Sequence, residues 1–207
     1  TAIMTKCINA EYRIGTTGTL DGTQTHKLVL EGLFGKIYKV TTTKKLIDSK
    51  QLASFRIDII VLKYPDEVCE QFRKIKYVDE LEFIVGHDKR NKYIRNLVLS
   101  LDGNTLLLFR LVKKHGRILY NMIKEEADDN RKIYFVHGGT ETDTREQIRA
   151  IAETEQDAII VASYGVFSTG INIRNLYNII FASPSKSRIR NLQSIGRGLR
   201  LSDNNQE

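Results

Sequence analysis

The 207-residue sequence has no tryptophan, two prolines and two cysteines. Cys7 and Cys69 are far apart and match no zinc or redox spacing, which excludes a disulfide framework and predicts reduced core residues of an intracellular protein. His26, His87, His115 and His137 show no metal-ligand spacing either, so no metal site is expected. No apolar run approaches the roughly 20 residues needed to cross a bilayer, and no signal-peptide pattern opens the chain. Acidic residues are missing altogether between Asp157 and Asp203.

What is present is ordinary globular composition, 41% hydrophobic and 28% charged, enough for one large domain or a domain plus part of another. The formal net charge is +7. An excess of that size favours an anionic partner, nucleic acid ahead of a membrane surface. Arg174, Lys186, Arg188, Arg190, Arg197 and Arg200 all fall in the acid-free quarter, so the excess is concentrated there.

Along the chain, residues 1–10 have helical spacing, Tyr12 to Leu20 read as a strand entering a Thr/Gly turn, and His26 to Leu33 read as a helix stopped by Gly35. "KIYKVTTT" reads as a strand and Lys44 to Ala53 as a short polar helix or linker. A domain boundary is placed between Gln51 and Arg56, separating residues 1–53 from 54–207. "IDIIVL" from Ile57 is a β-branched run expected to be a strand buried on both faces. Pro65 opens a helical stretch to about Phe83, and Lys89 to Leu101 carries Tyr93, Ile94, Leu97, Val98 and Leu101 on one stripe. Four short apolar runs follow, "TLLLF", "KIYFV", "AIIVAS" and "YNIIFA", separated by helical segments Val112 to Glu126, Thr144 to Glu153 and Lys186 to Gly196. Strands alternating with helices at this spacing predict an α/β fold, a parallel sheet with helices on both faces. Ligands of such sheets gather at the carboxyl ends of the strands.

Three segments at those ends carry candidate chemistry. "HGGTETDTR" offers the backbone amides of Gly138, Gly139 and Thr140 ahead of a helix. "SYGVFSTGINI" offers the hydroxyls of Ser163, Ser168 and Thr169 and close approach at Gly170, with Tyr164 and Phe167 as candidate base-stacking rings. In "SPSKSRIRNLQSIGRGLR", Gln193, Arg197 and Arg200 sit at helical positions 0, 4 and 7 and share one face. Guanidinium forks held on a rigid element suit the oxygens of a phosphate. Turn chemistry alone would account for any one of these segments. Three at one sheet edge point to an anion-binding surface.

The order of these segments resembles the motif series of superfamily 2 helicases. "RIGTTGTL" looks like motif III, "TLLLFRLVKKHG" like motif IV, "VHGGTETDTREQI" like the motif between IV and V, "VASYGVFSTGINI" like motif V and "QSIGRGLR" like motif VI. The wording of the last two resembles most the recombination helicases of T-even phages. The resemblance implies a second RecA-like domain over residues 54–207, preceded by the closing part of a first RecA-like domain over residues 1–53.

It also implies roles. Arg197 and Arg200 would be arginine fingers for an ATP held with Mg2+, supported by Gln193, while Gly170, Asn172 and Gly196 would lie against the nucleotide. Thr17, Gly18 and Thr19 would couple the ATP site to the facing domain. Arg110, Lys113, Gly138, Gly139, Arg145, Ser163 and Thr169 would hold the DNA backbone without reading sequence. Branched DNA and RNA-DNA hybrids are the implied substrates, and a monomer in the cytoplasm, that of the host if phage-encoded, is the implied setting. Position 172 is Asn where most relatives carry Asp, which keeps an acceptor for a ribose hydroxyl but not the charge.

Two parts of such a motor are not in the sequence. No G-x-x-x-x-G-K-[ST] occurs, and Asp79-Glu80 lies after motif III where the family's acidic box precedes it, so those carboxylates read as a solvated helix face. The chain by itself is therefore expected not to hydrolyse ATP. The alternative reading is a stand-alone α/β nucleic-acid-binding module without nucleotide chemistry.

Overall fold

The computed structural model describes residues 4, 6–7, 9–18, 20, 23–169 and 175–198. The four apolar runs form one parallel sheet: β1 (Thr105–Phe109), β2 (Ile133–Val136), β3 (Ile159–Ser163) and β4 (Asn178–Phe181), in the order β2-β3-β1-β4. Phe109 lies opposite Ser163, Leu108 opposite Phe181, and Val136 opposite Ala162, so the carboxyl ends of all four strands reach one edge together.

Alternation along β1 and β3 divides the core between the two faces of the sheet. Leu107, Phe109, Ile159 and Val161 point to one face, where Ile94 and Val98 of α5 (Asp88–Ser100) and Leu119 and Ile123 of α6 (Arg117–Glu126) cover them. Leu106, Leu108, Ile160 and Ala162 point to the other, against Val166 of α8 (Tyr164–Thr169) and Ile148 of α7 (Thr142–Thr154). Each face buries continuous aliphatic surface at about 25 cal/mol per Å2, which is what holds the layers together. The fold is thus the α/β parallel sheet with helices on both faces that the alternation predicts.

Polar pins close the opposite, amino-terminal edge. Asn104 is fully buried and donates from Nδ2 to the carbonyls of Glu155 and Asn175, each at 2.7 Å, while its Oδ1 accepts from Ala158 N at 2.8 Å. Arg131 donates to the carbonyls of Leu99 and Leu101 and pairs with Asp157 at 2.8 Å, tying the end of α5 to the sheet.

Several expectations need correction. "IDIIVL" is not a buried strand: residues 53–65 carry neither helix nor strand, and Ile59 is 84% exposed. The run has β-forming residues but no hydrogen-bonded partner ladder, and it lies beside β4, where Phe55, Ile57 and Ile60 line a cleft shared with residues 176–181. The helix opened by Pro65 breaks into α3 (Asp66–Phe72) and α4 (Tyr77–Gly86). Tyr93 is exposed, so the buried stripe of α5 is Asn91, Ile94 and Val98. Cys7 and Cys69 are exposed free thiols instead of core residues. Neither "KIYKVTTT" nor the described part of residues 12–20 forms a strand. The helices expected near residues 26 and 44 are present as α1 (Gln24–Phe34) and α2 (Thr43–Asp48), the first ending at Gly35 with φ +82°. Among the described residues, none before Leu81 is buried.

Candidate nucleic-acid and nucleotide interface

At the carboxyl edge, β3, β1 and β4 lie side by side. β3 ends in Ser163, β1 runs into exposed Arg110, and β4 runs through Ala182 into buried Ser183. Ser183 is the organising group. Its Oγ accepts from the Arg110 backbone N–H at 3.0 Å and lies 2.9 Å from His115 Nδ1, and its carbonyl accepts from the Tyr164 hydroxyl at 2.9 Å. A single serine therefore fixes the chain leaving β1, the turn that follows it, and the start of α8.

That turn is a π-helical one, Val112–Gly116, which runs straight into α6. Gly116 is required there because a Cβ would stand 2.5 Å from the buried Phe109 ring. The wide turn puts His115 inside. Burial, reinforced by the Arg90 guanidinium, pushes its imidazole down to about 4, so it is neutral at physiological pH. Among the described residues its Nε2 has no partner, and neither does Nη1 of Arg90, whose Nη2 donates to the Ala182 carbonyl. Burial likewise lowers the Arg90 guanidinium and pushes the Tyr164 phenol up to about 12.

Lys113 is exposed on the same turn, and Lys114 pairs with Glu82 of α4. The cluster from Lys113 to Arg117 turns two lysines outward and a histidine inward. Asp79 and Glu80 are exposed in the first turn of α4, the solvated face expected of them.

Beyond β2, the loop at Gly138 and Gly139 is exposed but internally tied. Gly139 N donates to His137 Nδ1 at 3.0 Å, Thr140 N to the His137 carbonyl at 2.9 Å, and His137 N to Thr140 Oγ1 at 3.0 Å. The amides of Gly139 and Thr140, expected to be open to an anion, are already committed. Arg145 on α7 closes the loop, donating from Nε to the Thr140 carbonyl at 2.7 Å and from Nη2 to that of Gly138 at 3.4 Å.

The Arg-rich segment forms α9 (Arg188–Gly198), begun by Ser187 Oγ accepting from Arg190 N at 3.3 Å. Gln193 and Gly196 are exposed, Ser194 is buried, and Arg197 occupies a backbone position one turn beyond Gln193. Gly198 packs the end of the helix onto Ile179, where a Cβ would come within 2.5 Å of Cδ1. Thr169 closes α8, while Gly170, Asn172, Thr19 and Arg200 lie outside the described residues. Thr17 and Gly18 are exposed, in a part of the chain where none of the described residues is buried. Tyr164 is not a free stacking ring, being buried with its hydroxyl bound to Ser183.

The structure thus gathers Arg110, Lys113 and Ser163 at one edge, leaves Gly138, Gly139 and Arg145 beside them in a self-bonded loop, and sets Gln193 and Arg197 on a separate helix. Ser183, His115, Arg90 and Tyr77 are the members that sequence reasoning did not single out. One signal was present for Ser183: β3 ends in "IIVAS" and β4 runs on into the similar "IIFAS", which sets Ser163 level with Phe109 and Ser183 one residue further along.

Comparison with known proteins bears on the family and the fold. The model of the helicase conserved C-terminal domain matches residues 89–202. The chain is 40% identical over 195 residues to the ATP-dependent DNA helicase uvsW of Enterobacteria phage T4, an alignment covering 93% of this chain and 38% of that protein. The crystal structure of T4 UvsW superposes with a TM-score of 0.56 at 42% identity, over 65% of this chain and 27% of that one. With its sheet, its ordered motifs and these matches, the chain belongs to the helicase C-terminal domain family.

Proposed function

We propose that this chain is the second RecA-like domain of an ATP-dependent DNA helicase that remodels branched DNA and RNA-DNA hybrids, with residues 1–53 forming the closing part of the first domain. The observation that carries the reading is the placement of Gln193 and Arg197 one turn apart on α9, in a segment whose sequence contains no carboxylate. A pair of guanidinium groups from Arg197 and Arg200 would stabilise the charge that develops on the transferred phosphoryl group, an effect typically worth ~10³ to 10⁵ in rate. Gln193, exposed on the same helix, would orient them.

The fit to ATP is partial. α9 supplies donors for the phosphates, but among the described residues no group of three metal-ligating side chains exists to hold Mg2+. The metal and the phosphate cradle would come from the facing domain. The exposed apolar residues Tyr12, Ile14, Tyr38 and Val40 support the assignment of the first segment, because strand-like runs left uncovered here would be covered within a more complete first domain. DNA would be held through phosphates at Arg110, Lys113 and Ser163, on the edge organised by Ser183.

The test is Arg200→Ala in a parent chain that carries a P-loop. ATPase activity should fall by at least ~10³, with DNA affinity retained. Weakened, less salt-dependent DNA binding with ATPase unchanged would instead favour a nucleic-acid-binding module. The 207-residue chain alone should show no metal-dependent ATP turnover.

A further inference from the structure

Two cations at the carboxyl edge are held without an acidic partner among the described residues, unlike several others on the surface. Lys114 pairs with Glu82, Arg95 with Glu126 and Lys132 with Glu155, the usual neutralisation of surface charge. Arg110 and Lys186 have no carboxylate partner among the described residues. Both instead converge on the side chain of Tyr77, the first residue of α4. The Lys186 ammonium stands 4.1 Å above the centre of the Tyr77 ring, and Arg110 Nη1 lies 3.5 Å from its hydroxyl.

The Arg110 backbone is also fixed by Ser183, which accepts from Arg110 N and lies three residues before Lys186. Exposed Lys and Arg side chains each lose up to roughly 2 kcal/mol of rotamer freedom when ordered. Restraint without neutralisation leaves two preorganised positive heads with unspent donors facing solvent. A cation over an aromatic face keeps its charge, unlike one buried in an ion pair.

We propose that Tyr77 is a positioning residue that holds Arg110 and Lys186 as a two-pronged clamp for the phosphodiester backbone of a nucleic-acid strand. This rests on the nucleic-acid reading above and adds Tyr77 and Lys186 to it. The ligand is a second anion, not the nucleotide. From the start of α9 at Arg188, just beyond Lys186, to Arg197 is about 14 Å of helix, and Gly198 at its far end packs back onto β4. The clamp and the Gln193–Arg197 face are therefore separate sites on one sheet edge and its flanking helix.

The experiment is fluorescence anisotropy of a labelled oligothymidylate with the 207-residue chain across a salt series. Arg110→Gln and Lys186→Gln should each reduce the slope of log affinity against log salt by about 0.7, the value for one single-strand phosphate contact. Lys124→Gln is the control: it removes the same charge from a lysine 6.0 Å over Tyr120, at the end of α6 remote from this edge. It should leave the slope unchanged.

Tyr77→Leu should weaken binding several-fold in the wild-type background and much less in Lys186→Gln, whereas Tyr77→Phe, which keeps the ring, should spare the Lys186 contribution. Thermal melting checks that each variant folds; if Tyr77→Leu does not, the Phe and Gln variants alone decide. Equal losses from Lys124→Gln and Lys186→Gln overturn the clamp while leaving the nucleic-acid reading intact, as does a slope unmoved by Lys186→Gln. Failure of the wild-type chain to bind oligothymidylate at low salt overturns both.

Discussion

His115 and Ser183, 68 residues apart in sequence, meet side chain to side chain at 2.9 Å in a buried position where β1 and β4 leave the sheet. The contact joins the turn after β1 to the segment that leads into α9. Because burial holds the His115 imidazole at about 4, the folded protein refuses a proton that the unfolded chain accepts near 6.5. The sign follows: the contribution is complete above pH 6.5 and is lost as the pH falls toward 4. Urea unfolding free energy should drop between pH 7 and pH 5 by roughly 2 kcal/mol more in wild type than in His115→Gln. An equal drop in both would mean that His115 is not the group responsible.

Gly116→Ala places a methyl group against Phe109, which is fully buried and stacked on Phe135 at 5.5 Å between ring centres. Overpacking of this kind costs about 1–3 kcal/mol. Gly86→Ala, at the end of α4 with nothing within 4 Å of the added Cβ, is the contrast. It should be neutral or slightly stabilising by up to ~1 kcal/mol. Melting temperatures of the two variants should move apart by several degrees.

Asn104→Ala removes two donors and one acceptor at the amino-terminal edge, leaving the Ala158 amide and the Asn175 carbonyl without this partner. The expected loss is about 3 kcal/mol, read as a shift in the urea midpoint at unchanged slope. Nucleic-acid affinity of the folded fraction should be unaffected, since Asn104 lies at the edge opposite Arg110.

Arg145 donates two of its guanidinium nitrogens to loop carbonyls, so its effect on DNA should be indirect. Arg145→Ala is expected to weaken oligonucleotide binding by loosening residues 137–140, while the salt slope changes by well under the ~0.7 of a direct single-strand contact. A full-sized slope change would place its guanidinium on a phosphate.

The four strands and the helices between them were legible because each strand is a compact apolar run, fully buried in β1 and β3 and partly buried in β2 and β4, a pattern that local sequence carries almost alone. "IDIIVL" has the same composition and was misread for that reason. Residue preference measures fitness for a sheet, and whether a neighbouring strand offers its edge is a property of the whole chain. Tyr164 was read as a candidate stacking ring because it flanks Gly165. Its burial comes from α8 folding under the edge, where the Ser183 carbonyl, 19 residues away, takes its hydroxyl.

The sequence by itself determined the α/β class, the direction of the strands and the family, since periodicity, apolar runs and ordered motifs are all written in consecutive residues. Only the tertiary structure decided which polar groups remain available. It committed the amides of Gly139 and Thr140 to His137, turned His115 inward on a π-helical turn, and brought Arg110 and Lys186 to one tyrosine. Hydrogen bonds and burial link residues many positions apart, and no local pattern specifies which donor meets which acceptor.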